Sequence, residues 1–260
     1  KLISISLQAY CLKNCITVNS DKCKSISFTR NRIVYKFNYL LNGTRIEPTD
    51  SIKDLGILIN NKLKFDKHVN LICAKTYRIL GFIFRTCKYF TCLKSLTTLY
   101  NSYVRSVLEY ASVIWSPPHA IPVNKLERIQ IKFLKYLHYK FNSNSIFNYD
   151  NYLVQFDMQS LDKRRTKLDV LCLYYIVNNK YDSNFLLSNI NFNYSCHNTR
   201  SNYLFHKPSA HTNTFLNSPL IRIQKGFNTL NINNHIDICF DNTSKVKQLC
   251  LLHIESVCVA

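Results

Sequence analysis

Acidic side chains are scarce in this chain, with 15 Asp+Glu against 34 Lys+Arg in 260 residues and a formal net charge of +19. An excess of that size disfavours cationic ligands and points to a polyanionic partner or an anionic membrane surface. No two aspartates are adjacent, and the early acids Asp21, Glu47, Asp50, Asp54 and Asp66 stand singly in turn or cap contexts. Two-metal phosphoryl transfer needs clustered carboxylates, and that requirement is not met. With only 4 glycines and 6 prolines, the chain has no Gly-rich phosphate loop and no nucleophile elbow. No stretch approaches the roughly 20 apolar residues of a membrane span, and the opening KLISISLQAYCLKNC has no small-residue cleavage site. The 11 cysteines are odd in number and show no paired spacing, so they are read as reduced thiols. The expectation is a soluble, intracellular protein of the nucleus or cytoplasm, without a membrane partner.

What is present is hydrophobic enough to fold, at 47% hydrophobic and 13% aromatic. The positive charge is unevenly spread. Residues 1–140 hold 23 Lys+Arg and 7 Asp+Glu, a net +16, whereas residues 141–260 hold 11 and 8, a net +3. One half is built to meet phosphate and the other packs on it or does something else.

The periodicity predicts an α+β chain that is mostly α. Ile3, Leu7 and Tyr10 are spaced as in a helix, followed by short strands. Asn42-Gly43 marks a tight β-hairpin turn, with Tyr35, Phe37 and Tyr39 alternating before it. Ile57, Leu58 and Ile59 read as a strand packed on that hairpin. Helices are expected over 66–85 (Val69, Ile72, Tyr77, Leu80 and Ile83 on one face), over 96–114 (Leu96, Leu99, Tyr103, Val107, Tyr110 and Ile114), and from Pro122 (Leu126, Ile129, Phe133 and Leu137). Residues 141–160 read as a linker, 161–178 as a helix through Leu168, Leu171 and Tyr175, and 246–257 as a weak terminal helix.

On the third of those helices Lys125, Arg128, Lys132 and Lys135 recur at three- and four-residue steps opposite the apolar stripe. Such a row tracks a phosphate backbone or is a solvated face. Lys67, Lys75, Arg78 and Arg85 on the first helix weigh toward binding. Cys196, His197, His206 and His211 cluster without a second cysteine at finger spacing, so they are read as loop residues and no metal is assigned. Cys11 and Cys15 read as core thiols.

The runs NSDKCKSISFTR, NGTRIEPTDSIKDLGILINNKLKFDKHV, AKTYRILGFIFR, LYNSYVRSVLEYASVIWSP and LERIQIKFLKYL, then SLDKRRTKLDVLCLYYIVNN, FLLSNINF and SPLIRIQKGFN, carry a further signal. In order and spacing they resemble the C-terminal reverse-transcriptase region of Jockey-like non-LTR retrotransposons, over almost the whole chain. The resemblance implies an RNA-directed DNA polymerase whose metal-binding Asp pair, fingers and endonuclease lie upstream of these residues. Residues 1–61 would be the end of the palm, with Lys22 or Lys24 as the lysine that protonates pyrophosphate. A primer-grip-like hairpin would carry Phe37, Tyr39, Asn42 and Gly43. Residues 62–140 would be a basic three-helix thumb, and 141–260 a helical or irregular C-terminal domain of unassigned role. Magnesium is implied for the intact polymerase, with no cofactor on this chain. The expected partners are RNA, DNA or an RNA–DNA hybrid, together with the upstream polymerase and endonuclease domains. The chain is expected to grip template–primer without polymerising alone. The alternatives are a nucleic-acid-binding helical module retained by a host, a non-functional remnant of the element, and a helical interaction protein that binds no nucleic acid at low salt.

Overall fold

The computed structural model describes residues 9–29, 37–41, 43–141, 146–193, 203–206, 209, 212–234, 237–239 and 241–246. The chain forms two compact units, Lys1–Asn70 and Leu71–Ala260, and residues 71–141 belong to the same unit as the helices that follow them. The described architecture is mostly helical, with three small two-stranded sheets.

In the first unit residues 9–13 are helical, and the expected earlier part of that helix lies outside the described residues. Cys11 is buried as expected, whereas Cys15 is exposed and takes φ +53° just past the helical turn. Strand β1 (Lys24–Ser25) pairs in parallel with β4 (Glu47–Pro48), while β2 (Leu40–Leu41) and β3 (Thr44–Arg45) form the expected hairpin with register Leu41↔Thr44. Gly43 takes φ +79° in the turn, where a Cβ would be strained; Asn42 lies outside the described residues. The strand expected at Ile57 is present, and its pairing partner is one the alternation did not name. It forms β6 (Ile57–Asn60), whose partner is the preceding segment β5 (Ser51–Asp54), so a second hairpin closes on Leu55-Gly56. Both turn residues have positive φ, +43° and +89°, the backbone of a type I′ turn whose twist matches the flanking strands. Sequence alternation marks a strand but does not name its partner.

His68 fastens this hairpin. Its buried ring accepts a hydrogen bond at Nδ1 from the Leu58 amide at 3.2 Å. Burial, reinforced by the nearby Lys53 charge, pushes the imidazole below its ordinary value of 6.5.

The second unit holds most of the helices. Helix α1 (Asp66–Thr86) buries Ile72, Cys73, Thr76, Leu80 and Ile83 along one face. Tyr77, expected on that face, is 38% exposed, and Thr76 takes the inward position. Next come α2 (Leu93–Leu99), a π-helical segment Tyr100–Arg105, α3 (Ser106–Glu109) and α4 (Ser112–Trp115). The buried stripe here is Leu96, Tyr100, Val104 and Leu108, one residue in four, whereas Tyr103, Tyr110 and Ile114, expected inside, are exposed. A four-residue repeat drifts about 40° per step on a 3.6-residue helix. The wider winding of the π segment offsets that drift and keeps all four on one face. The helical run breaks at Ala111, which is left-handed at φ +49°, and Trp115 donates its indole N–H to the Tyr110 carbonyl at 2.8 Å.

Helix α5 (Ala120–Phe141) buries Pro122, Leu126, Ile129, Phe133 and Leu137, as the periodicity predicts. The linker expected over 141–160 instead contains α6 (Tyr149–Gln155). Asn148 caps it by accepting from the Asp150 and Asn151 amides, and buried Tyr152 meets His138 Nδ1 at 2.7 Å. An Asn-rich stretch is a good helix start. Helix α7 (Leu161–Val177) exposes only Asp162, the mark of a central helix. Around it lie α8 (Asn184–Ser188), α9 (Asn213–Leu216) and α10 (Pro219–Asn234), with α10 and α7 sharing the cluster of Val170, Leu173, Tyr174, Ile223 and Phe227. Residues 243–246 are helical, and the remainder of the expected 246–257 helix lies outside the described residues.

Arg222 braces three of these elements. From α10 its guanidinium clasps the buried Asp169 of α7 at 2.8 and 3.2 Å, and it also donates to the carbonyls of Val113 and Ser116 around α4. Replacing one member strands the others away from water, so Arg222→Leu is expected to lower stability by about 3–5 kcal/mol, read by chemical denaturation. In the first unit, folding favours the neutral form of His68. Its contribution is therefore complete above pH 6.5 and is lost as the pH falls through the lowered folded value. As the pH falls below 6.5, exchange at the Leu58 amide should slow less than its intrinsic chemistry dictates, because protection is being lost, and His68→Asn, whose amide oxygen takes the place of Nδ1, should remove that difference.

Candidate nucleic-acid interface

Helices α1 and α5 lie side by side and run in the same direction. Phe84 stacks on Tyr136 with ring centroids 4.2 Å apart, Lys132 Nζ sits 5.2 Å from the Tyr77 ring, and Lys140 Nζ donates to the Cys87 and Lys88 carbonyls at 2.8 Å each. Moving from Tyr77 to Cys87 on one helix moves from Lys132 to Lys140 on the other. Each helix turns its apolar stripe to the core, so their outer surfaces form a single face.

That face is cationic. At 100° per residue, Lys125, Arg128, Lys132 and Lys135 fall within an arc of about 80° opposite the buried stripe of α5. All four are exposed. On α1, Arg78 and Arg85 are seven residues apart, almost in line, and also exposed. Lys75 is exposed about 60° round the helix from Arg78, on the flank away from Tyr77. Lys67 is exposed on the first turn of α1 and belongs to the first unit. Among the described residues Arg78, Arg85, Arg128, Lys132 and Lys135 form no ion pair.

Residues 67–141 contain 12 Lys+Arg and only two acids, Glu109 and Glu127, and the fold turns both inward. Arg164 grips Glu109 with Nε and with Nη2 at 2.9 Å, leaving the carboxylate side chain 14% exposed. Glu127 lies on the inner flank of α5, where it accepts from the Tyr149 hydroxyl and, at 3.1 Å, from the Leu161 amide that opens α7. Burial raises its carboxyl above the ordinary value, against the pull of those two hydrogen bonds. The same network continues through Gln130, which donates to the Tyr149 hydroxyl at 3.0 Å and accepts from the Tyr100 hydroxyl at 3.0 Å. Burial pushes both tyrosine hydroxyls up, so they act as neutral donors. Tyr100 also stacks on Phe133 at 4.2 Å.

The remaining residues singled out by sequence lie in the first unit. Lys22 ends a 3-10 turn, Ser20–Lys22, capped by the Asn19 side chain, and Lys24 stands in β1; both are exposed. Phe37 and Tyr39 are 67% and 48% exposed, with ring centroids 6.4 Å apart, and the Ile46 amide donates to the Tyr39 carbonyl at 2.9 Å beside the hairpin. Among the described residues no group of three His, Cys, Asp or Glu converges to hold an ion. His206 is exposed, and Cys196, His197 and His211 lie outside the described residues. No helix among the described residues is long and apolar enough to cross a membrane.

Sequence reasoning did not pick out Lys140, whose partners are 52 and 53 residues away, or the exposed Tyr89 and Tyr139. A count of cations cannot separate one that clamps a helix end from one that faces solvent. Glu127→Ala should leave the Leu161 amide and the Tyr149 hydroxyl unpaired and cost about 2–4 kcal/mol. Glu127→Gln, which still accepts from both, should cost under about 1 kcal/mol, both read by thermal denaturation.

No family model and no solved structure matches the chain. Over 126 residues it is 28% identical to an uncharacterized protein of Caenorhabditis elegans, a match that covers 48% of this chain and 62% of that protein. The chain therefore spans less than two thirds of the length of the curated relative it matches.

Proposed function

We propose that residues 71–141 grip the phosphate backbone of a nucleic-acid duplex, in the manner of a polymerase thumb, and that the chain is part of a retrotransposon reverse transcriptase. The observation that carries the reading is the outer face of α1 and α5, lined by exposed cations from two parallel helices while the two nearby carboxylates are turned inward. A field of one sign over a surface of that length suits a rod of regularly spaced negative charge. The resemblance of the sequence to the Jockey-like reverse-transcriptase region supports an RNA–DNA hybrid as the duplex. Hybrids of A-like form are held by backbone and shape rather than by base edges, so lysine and arginine suffice without base-reading side chains. The role is holding, with chemistry assigned to residues outside this face. In the same reading the hairpin of Phe37, Tyr39 and Gly43 is a primer grip, and Lys22 or Lys24 the lysine near pyrophosphate.

Binding of a labelled RNA–DNA hybrid of about 16 base pairs should weaken steeply with salt, because the counterions released from the phosphates on binding gain less freedom in a saltier solution. Changing Lys125, Arg128, Lys132 and Lys135 together to Glu should abolish measurable binding at moderate salt. Single Lys→Gln changes should each reduce the salt slope by about 1. All four side chains are exposed, so the helical circular dichroism of the variant should match the parent. Unchanged affinity and slope in the quadruple variant would remove this face from the binding surface.

A further inference from the structure

Both cationic lines end, at the same end of the two parallel helices, on an exposed aromatic ring. On α5 the row Lys125, Arg128, Lys132, Lys135 continues one turn further to Tyr139, in the middle of the same arc and 69% exposed. On α1 the line Arg78, Arg85 is followed by Lys88 and Tyr89. Tyr89 is 86% exposed, with Lys88 Nζ 5.7 Å from its ring. The loop that carries Tyr89 is held in place, because Lys140 donates to the carbonyls of Cys87 and Lys88 at 2.8 Å each and so ties it to the end of α5. Tyr139 stands on the last turn of α5, the turn that carries Lys140, with its ring edge-on to the buried His138 at 5.1 Å.

We propose that Tyr89 and Tyr139 form a stacking site for unpaired bases of single-stranded nucleic acid, placed where the duplex held by the basic face gives way to a single strand. The physical reasons are complementary. Phosphates along the rows need only charge, whereas a base released from its pair needs a flat apolar surface, and an aromatic ring flanked by cations supplies both. Each ring sits at the end of its row rather than within it, so the rings meet the ligand where base pairing ends. A loop and a helix end already held by hydrogen bonds and ring contacts lose little freedom when a base stacks on them. Aromatic rings beside lysines also suit the headgroup layer of an anionic membrane. The continuous cationic rows leading up to both rings favour a polymer with regularly spaced phosphates.

The inference rests on the duplex-gripping reading, and one experiment separates the two. Fluorescence anisotropy on the whole chain would compare a blunt RNA–DNA hybrid with the same hybrid carrying a five-nucleotide single-stranded extension at either end. The extension should tighten binding about tenfold. Tyr89→Ala combined with Tyr139→Ala should remove that gain while leaving the blunt-hybrid affinity and salt slope unchanged. Tyr89→Phe with Tyr139→Phe, which keeps the rings, should restore it. The proposal is overturned if the parent binds both substrates alike, or if the alanine pair keeps the gain. It is also overturned if the alanine pair loses binding only to phosphatidylserine vesicles, which would make the patch a membrane contact. Failure of the gripping reading looks different: blunt hybrid is not bound at all, and an extension-dependent signal lost in the alanine pair would then show the stacking site acting alone.

Discussion

The inward carboxylate of Glu127 is the constraint on which the second unit rests. From the flank of α5 it accepts the hydroxyl of Tyr149 and the first free amide of α7, so three helices meet on one acid. An N-terminal amide with no partner in its own helix is a natural site for a negative charge. Meeting that need from α5 takes the helix's own carboxylate off its outer side. The outer side is left to Lys125, Arg128, Lys132 and Lys135. Assembly of the unit and the purity of its charged face follow from the same contact.

Arg164 does the same for Glu109, and Arg222 extends the pattern by joining Asp169 of α7 to the carbonyls at the end of α4. The residues after 141 therefore act on the basic face without belonging to it. Helix α7, covered on nearly all sides, is the post around which the bundle and the later helices pack.

Local rules reach a definite distance here. The helices over 66–86 and 120–141 are readable because long apolar periodicity reports one consistent face. The hairpin at Gly43 is readable because a two-residue turn with positive φ selects its residues. The segment 93–115 is not readable in this way. Its buried residues recur every four positions, a spacing that an ordinary helix does not keep on one side, and the π turn that accommodates it depends on Tyr100 reaching Gln130 and Phe133. Helix α6 was likewise hidden, since an Asn-rich stretch reads as a loop until Tyr152 finds His138.

By itself the sequence determined the charge, its concentration in the first half, the four-cation row on α5 and most of the long helices, because each follows from composition or from neighbours a few residues apart. Only the tertiary structure decided that α5 lies parallel to α1, that both acids between 67 and 141 turn inward, and that Lys140 clamps a loop while Lys135 faces solvent. Those outcomes depend on partners up to 55 residues away. Periodicity tells which side of a helix is buried, but it cannot say against what, and the binding face exists only once that question is answered.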